Sequence, residues 1–165
     1  MTRVYAGLGS NIDKEINIPA GLKALASHFP PLDRSTIYKS EPLGCRGEIF
    51  FNLVVGFDTD LSELDVIKTL KAIEISFGRK KIDARKYEPG FASHTLDIDL
   101  LLFGDLVRHD EDVNVPREDI VLYPFVLCPL AEIAGELEHP ETGLRLSDMW
   151  HAFDKDKHHI EPVDF

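Results

Sequence analysis

Apolar residues recur along this chain with two different periods, and the order of these periods predicts a mixed α and β fold. Residues 4–8 have the composition of a strand and lead into a turn-forming trio. Residues 17–29 place apolar side chains at helical spacing, and a Pro-Pro pair after them ends the predicted helix. Residues 34–40 and 49–57 are rich in strand formers, which predicts two neighbouring strands joined by a long loop.

The second half of the pattern begins with another amphipathic helix. Residues 60–78 open with a helix-start signature, keep apolar side chains at helical spacing and end in glycine. Residues 94–103 form a strand-like run, and 116–119 resemble a helix start with Pro in its first turn. Residues 122–133 are apolar enough to pack on a sheet, and a short helix with a polar tail is predicted from 147 onward.

The order βαββαβ followed by helices predicts a ferredoxin-like α+β fold, with a mostly antiparallel sheet, helices on one face and additional C-terminal helices. A length of 165 residues fits a single domain over 1–165. No apolar run approaches the ~20 residues of a membrane span and no signal-peptide pattern is present, so we expect a cytoplasmic protein. Cys45 and Cys128 have neither zinc-site nor disulfide-framework spacing, which indicates reduced thiols.

Two aspartates, Asp97 and Asp99, interrupt the apolar run at 94–103. Successive side chains of a strand point to opposite faces, so both project from the same face, about 7 Å apart at ~3.3 Å per residue. The two carboxylates of such a pair repel each other unless a cation lies nearby, and Mg²⁺ prefers oxygen ligands. The alternative is an edge strand whose acidic residues keep a wet face soluble.

The charge distribution narrows the possible ligands. A formal net charge of −11 argues against a nucleic-acid binder that works through a broad basic surface. Basic residues are nevertheless concentrated just before the aspartate pair, at Arg79, Lys80, Lys81, Arg85 and Lys86. The cluster is either a solvated basic turn or, beside a magnesium site, a polyphosphate-binding loop. The sequence contains neither a P-loop nor the protein-kinase motifs.

A few residues could bind a flat heterocycle. Asn52 lies in an apolar strand, where its amide either reads the hydrogen-bonding edge of a ring or is a buried amide satisfied by the backbone. Phe50, Phe51 and Phe125 could stack on such a ring, although aromatic residues at these positions are also ordinary core residues.

Short segments in a specific order carry a family resemblance over nearly the whole chain. They are Tyr5-Ala-Gly-Leu-Gly-Ser-Asn11, Tyr38-Lys-Ser-Glu-Pro-Leu-Gly44, Phe51-Asn-Leu53, Ile73-Glu74 with Gly78-Arg79, Thr95-Leu-Asp-Ile-Asp-Leu-Leu-Leu-Phe-Gly104 and Phe125-Val-Leu-Cys-Pro-Leu130. In combination they resemble the 6-hydroxymethyl-7,8-dihydropterin pyrophosphokinases of the folate pathway. The resemblance implies a ferredoxin-like fold and Mg²⁺-dependent transfer of diphosphate from ATP to the pterin hydroxymethyl group, releasing AMP.

The resemblance also implies roles for individual residues. Asp97 and Asp99 would bind two Mg²⁺ ions, and Asp97 would help to orient the acceptor hydroxyl. Asn52 would hydrogen-bond the pterin amide edge, and Phe125 would stack on the ring. The expected pterin-binding residues are Ser40, Pro42, Leu43, Gly44, Asn52 and Phe125. The expected catalytic residues are Asp97, Asp99, Arg79 and His94, and the expected ATP-binding residues are Glu74, Arg79, Lys81, Arg117 and Tyr123.

Departures from the usual family pattern fall on the ATP side. His94 and Tyr123 stand where the family usually has arginine, and Lys81 replaces a second loop arginine. Pro116-Arg117 stands where a Pro-His pair is usual. Lysine loses the bidentate geometry of arginine, and histidine is only partly charged at neutral pH. Positive charge from Arg85, Lys86 or Arg117 could compensate.

We therefore expect a monomeric pyrophosphokinase whose ligands are ATP and a reduced pterin, with no nucleic-acid or membrane partner. One alternative is a divergent pterin-binding protein that has kept the pocket and has weak or lost catalysis. Another is a structural or interaction domain on the same fold, which would bind neither ligand.

Overall fold

A six-stranded antiparallel sheet lies at the centre of the computed structural model, which describes residues 1–41, 49–78, 95–156 and 159–164. Its strands are β1 (Thr2–Ser10), β2 (Asp33–Arg34), β3 (Ile37–Ser40), β4 (Phe50–Thr59), β5 (Asp97–Phe103) and β8 (Ile160–Val163). They lie in the order β5-β1-β4-β3-β8, with β2 also paired to β4. A separate two-stranded sheet is formed by β6 (Arg108–His109) and β7 (Asn114–Val115).

Five helices complete the described part of the chain: α1 (Lys14–His28), α2 (Glu63–Ser76), α3 (Asp119–Leu122), α4 (Pro124–Ala134) and α5 (Leu146–Ala152). With β1, β3, β4 and β5, the first two of them form the predicted βαββαβ order. The ferredoxin-like α+β fold with C-terminal helices is therefore confirmed. The predicted start of α2 is also observed, since the hydroxyl of the N-cap Ser62 accepts a hydrogen bond from the backbone N–H of Asp65 at 3.2 Å.

One face of the sheet is covered by α1 and α2. Val4 and Ala6 of β1 are fully buried in one hydrophobic cluster with Ile18 of α1 and Leu70 of α2. Ile18 and Leu70 belong to the apolar stripes that helical spacing predicted. Burial of those stripes explains why both helices lie on this face.

The opposite face is covered as well, and the expectation that the helices share one face is wrong for α4 and α5. Tyr5, Val54 and Leu101 project from this face into a second hydrophobic cluster with Leu127 of α4. Strand β4 is buried at eight of its ten positions, on both faces. A sheet that is apolar on both faces needs helices on both, because either face would otherwise expose its side chains to water.

The pairing of β1 and β5 is interrupted once, close to the two aspartates of β5. Tyr5 lies opposite Leu102 whereas Ala6 lies opposite Leu100, so Leu101 is an extra residue on β5. The carbonyl oxygen of Leu101 accepts a hydrogen bond from the backbone N–H of Arg117 at 3.0 Å. The bulge therefore attaches the segment before α3 to the strand that carries the two aspartates.

The C-terminal segment differs from its predicted polar tail. Strand β8 pairs with the outer edge of β3, with Val163 opposite Ile37 and Ile160 opposite Ser40. Only four residues long, β8 carries too few apolar positions for a period to be recognised, and its pairing partner lies over a hundred residues earlier in the chain. Among the described residues, no helix combines the length and apolar composition needed to cross a bilayer.

Leu127→Ala tests the packing of α4 on the second face. Leu127 is 1% exposed, so the substitution leaves a cavity and is expected to lower the free energy of unfolding by about 2–5 kcal/mol. Urea denaturation measures the loss. Leu122→Ala is the matched control, because Leu122 is 51% exposed and its truncation is expected to change stability by less than about 0.5 kcal/mol. Equal losses in the two variants would contradict the packing described here.

Candidate active site

The two aspartates of β5 project from the face of the sheet that carries α4. Their neighbours on β1 are glycines, with Gly9 opposite Asp97 and Gly7 opposite Asp99. Ile98, between them, points into the core of the other face and is 3% exposed. Because glycine has no side chain, Gly7 leaves room for the side chain of Leu101 and Gly9 for the amide oxygen of Asn52, which an added Cβ would approach to 3.5 and 3.0 Å.

Two cavities meet at these carboxylates. The larger, of about 670 Å³, is lined by the Ile67–Ile75 side of α2, by β5 and by residues 110–117. The smaller, of about 260 Å³, is lined by β1, by β4, by the end of β3 and by the segment that joins α3 to α4. Asp97 and Asp99 line both cavities. A ligand in one cavity would therefore meet a ligand in the other at the aspartate pair.

The electrostatic environment of Asp99 resists its ionisation. Burial and the negative charge of Asp97 raise the pKa of Asp99 well above its ordinary value, and Asp119 and Glu74 raise it further. The positive charge of Arg117 acts in the opposite direction. A site that penalises a second negative charge in this way favours a bound cation.

The aspartate pair fits a hard divalent cation that is shared with a ligand. Mg²⁺ in proteins is commonly held by one or two carboxylates, with its remaining positions taken by water and substrate phosphates. Within the described ranges, no group of three or more His, Cys, Asp or Glu side chains is placed to hold a metal ion. Among the described residues, Asp97 and Asp99 thus supply two carboxylates, a number that suits a cation shared with phosphate oxygens.

Arg117 projects into the larger cavity from the segment that follows β7. Its Nη2 lies 3.8 Å from Oδ1 of Asp99, and its Nε donates a hydrogen bond to Oδ2 of Asp119 at 3.2 Å. Glu74 of α2 lines the same cavity and is 7% exposed. The structure therefore brings both of these expected ATP-binding residues to the larger cavity.

The smaller cavity contains an oriented amide. The Nδ2 of Asn52 donates a hydrogen bond to Oγ of Ser40 at 2.8 Å, and both side chains are buried. The carbonyl oxygen of this amide lies toward Gly9, where an added Cβ would approach it to 3.0 Å. Of the two interpretations of Asn52, a buried amide satisfied by backbone does not match this partner, which is a side-chain hydroxyl on the adjacent strand.

Aromatic rings form another wall of the smaller cavity. Tyr123 and Phe125 stack on each other with ring centroids 5.0 Å apart and an interplanar angle of 10°. Phe125 is where the resemblance places a ring-stacking residue. Tyr123, expected on the ATP side, lines the smaller cavity. There its ring stacks on that of Phe125, a contact that the sequence pattern did not indicate.

Some site residues were missed and others lie outside the described part of the chain. Asp119 and Lys71 line the cavities, yet neither belongs to a motif that the sequence made recognisable. The aspartate at 119 carried only a helix-start signal, because acidic residues are common in the first turn. The expected site residues outside the described ranges are Pro42, Leu43, Gly44, Arg79, Lys81 and His94. The compensating Arg85 and Lys86, and Cys45, also lie outside these ranges, whereas Cys128 is a free, partly buried thiol.

Comparison with known proteins shows the family of this chain. The family model described as 7,8-dihydro-6-hydroxymethylpterin-pyrophosphokinase (HPPK) matches residues 5–135. A 2-amino-4-hydroxy-6-hydroxymethyldihydropteridine pyrophosphokinase of Pseudomonas aeruginosa is 37% identical over 152 residues, covering 89% of this chain and 89% of the relative. The protein of the same name from Haemophilus influenzae is 34% identical over 148 residues, covering 87% of this chain and 89% of the relative.

Among solved structures, the Plasmodium falciparum HPPK-DHPS wild-type protein with pteroate has a TM-score of 0.71 and 12% sequence identity. The match covers 91% of this chain and 44% of that chain, so this chain spans less than half of the larger protein. At this identity the likeness concerns the fold alone. The family match and the two bacterial relatives go further: this chain belongs to the 7,8-dihydro-6-hydroxymethylpterin-pyrophosphokinase family.

Asp99→Asn tests the electrostatic strain at the site. A carboxyl whose pKa is higher in the folded than in the unfolded state favours folding at acidic pH and loses that contribution as the pH rises through the folded-state value. The asparagine variant, without metal, is therefore expected to melt higher than the parent protein by about 3 °C at pH ~8, with a gain that shrinks toward pH ~4.

Scanning calorimetry at both pH values measures these melting temperatures. Asp105→Asn, at an exposed position in the turn after β5, is the matched control and is expected to leave them unchanged. A melting temperature of the Asp99→Asn variant that falls at pH ~8 would contradict the described strain.

Proposed function

We propose that this protein transfers a diphosphate group from ATP to the hydroxymethyl group of 6-hydroxymethyl-7,8-dihydropterin, giving AMP and the pterin diphosphate. One observation carries the proposal: the carboxylates of Asp97 and Asp99 line two cavities at once, in a chain of the pyrophosphokinase family. A transfer between two substrates needs such a meeting point, because the donor and acceptor must be held in line at one place.

The reaction balances without a further reactant. The pterin hydroxyl oxygen attacks the β-phosphorus of ATP, a new P–O bond forms, and the bond from the β-phosphorus to the bridging oxygen of AMP breaks. The hydroxyl proton is released during the transfer. Mg²⁺ held by Asp97 and Asp99 would neutralise charge on the phosphates, which is the largest electrostatic requirement of phosphoryl transfer.

The residues of the smaller cavity suit recognition of the pterin. The amide of Asn52, oriented by Ser40, faces a space of about 260 Å³, and the stacked rings of Tyr123 and Phe125 line the same space. A planar ring with an amide-like edge satisfies both features, since the aromatic wall accepts its face and the Asn52 amide pairs with its edge. Asp97 would orient the hydroxyl that this ring presents to the carboxylates.

The larger cavity suits the nucleotide. Its volume of about 670 Å³ accommodates ATP, and Arg117 supplies a planar guanidinium for phosphate oxygens on the side next to Asp99. Glu74 would contact the nucleotide from α2. We further assign Arg79, Lys81 and His94 to this side, with Arg79 and His94 contributing to catalysis, on the pattern of the family alone.

Retention of the carboxylates and of both cavities favours the enzyme over a pterin-binding protein with lost catalysis. The relatives at 34–37% identity are themselves named pyrophosphokinases. We extend the proposal to two Mg²⁺ ions per active site and to a monomeric, cytoplasmic enzyme formed by one domain over 1–165.

Release of AMP from ATP and the authentic pterin tests the proposal directly. The parent protein is expected to form AMP only when the pterin and Mg²⁺ are both present. Asp97→Ala is expected to reduce kcat by about 10³-fold, the scale for loss of a group that stabilises transition-state charge. Asp105→Ala is the matched control and is expected to keep the parent rate. Absence of AMP formation by the parent protein would contradict the proposed activity. A near-parental kcat in Asp97→Ala would contradict the role assigned to Asp97.

Ser40→Ala tests the oriented amide. Loss of the hydrogen bond to Asn52 costs about 1 kcal/mol, so KM for the pterin is expected to rise about fivefold, with KM for ATP unchanged. Steady-state kinetics with each substrate varied in turn measures both constants. Ser27→Ala, at an exposed position on α1, provides the control. An equal rise in both KM values would show that Ser40 does not act on the pterin cavity selectively.

A further inference from the structure

We propose that Arg117 is the built-in counter-cation of the Asp97 and Asp99 pair in the metal-free protein, and that Asp119 holds it so that metal binding transfers its guanidinium from Asp99 to phosphate oxygens in the larger cavity. This inference rests on the proposed metal site and deepens it. It assigns a positioning role to Asp119, for which the sequence offered no motif.

The contacts of the guanidinium are unequal. Its Nε donates a hydrogen bond to Asp119 at 3.2 Å, whereas its Nη2 lies 3.8 Å from Asp99, within ion-pair range and beyond hydrogen-bond length. The charge of Arg117 therefore offsets that of Asp99 without a directional bond. The end of the side chain can leave Asp99 while Asp119 retains its Nε.

The backbone at this point is fixed from both sides. The N–H of Arg117 donates to the carbonyl of Leu101 on β5, and its own carbonyl accepts from the N–H of Ile120 at the start of α3. Both bonds are near 3 Å, at 3.0 and 3.1 Å. The guanidinium can therefore move only by rotation within the side chain. The backbone of Arg117 stays attached to β5, the strand that carries Asp97 and Asp99.

The positions of the two partners set the direction of this motion. Arg117 lines the larger cavity and Asp119 lines the smaller one. The hydrogen bond between Arg117 and Asp119 therefore crosses the boundary at which the substrates would meet. A dication held by Asp99 would repel the guanidinium, whose Nη2 lies 3.8 Å from Oδ1 of Asp99, and triphosphate oxygens in the larger cavity would attract it bidentately. One cation is exchanged for another at Asp99, and the displaced one moves onto the nucleotide.

The proposed exchange predicts that replacing Arg117 by Met strengthens the binding of Mg²⁺ and weakens the binding of the nucleotide. Titration of nucleotide-free protein with MgCl₂ alone, followed by calorimetry, is expected to give about tenfold tighter binding, because no resident positive charge opposes the metal. Binding of a non-hydrolysable ATP analogue in saturating Mg²⁺ is expected to weaken by about tenfold, because a phosphate partner is lost. A merely structural Arg117 would weaken both.

Two further variants sharpen the test. Arg145→Met is the matched control, since Arg145 makes an exposed ion pair with Glu136 at 3.3 Å on the surface, and neither affinity is expected to change. Asp119→Asn is expected to weaken binding of the ATP analogue in the parent protein and to have no effect in the Arg117→Met background. Equal effects of Asp119→Asn in both backgrounds would overturn its positioning role.

The result that overturns the exchange itself is unchanged or weaker Mg²⁺ binding by the Arg117→Met protein while Asp97→Asn still abolishes it. In that case the metal site of the proposed function stands and the counter-cation does not. If Mg²⁺ neither binds the parent protein alone nor strengthens its binding of the ATP analogue, the proposed metal site fails and the exchange fails with it. Tighter Mg²⁺ binding together with weaker nucleotide binding in Arg117→Met supports the proposal.

Discussion

Strand β1 is hydrogen-bonded to β4 on one side and to β5 on the other, and this double pairing brings the two halves of the site together. In both registers Gly9 is the residue in the middle, opposite Asn52 on β4 and opposite Asp97 on β5. Neighbouring strands are about 4.8 Å apart, so the amide and the carboxylate stand about 10 Å apart on one face of the sheet. That span suits the small ring with one reactive arm of the proposed acceptor, and the missing side chain of Gly9 leaves room for the amide oxygen of Asn52, which a Cβ there would approach to 3.0 Å.

The same pairing creates an electrostatic cost that the surroundings only partly offset. The two aspartates of β5 share a face with each other and lie near Asp119 and Glu74, and Arg117 is the cation whose contact with Asp99 the structure describes. A site with this balance would be less stable empty than filled by the proposed dication, which is a common trade between stability and function. The same repulsion would make binding of the proposed metal and its phosphates favourable.

Local patterns predicted those parts of the molecule that depend on local chemistry. Alternation in a strand correctly put Asp97 and Asp99 on one face, and Ser62 caps α2 as its sequence indicates. Other features depend on residues far apart in the chain. The hydrogen bond from Asn52 to Ser40, the ion pair of Arg117 with Asp99 and the packing of α4 on the second face follow from how elements meet, and no single segment carries that information.

The short strand β8 links the outer edge of the sheet to the candidate site. By pairing with β3 it occupies backbone N–H and C=O groups that a bare sheet edge would offer to a second molecule, which is a frequent origin of aggregation. Ser40, at the end of β3, lies opposite Ile160 in this pairing and also holds the amide of Asn52. Residues 160–163 therefore cover the outer side of β3 and support the strand end whose Ser40 accepts the hydrogen bond of the Asn52 amide, so loss of this segment would expose β3 and loosen that amide together.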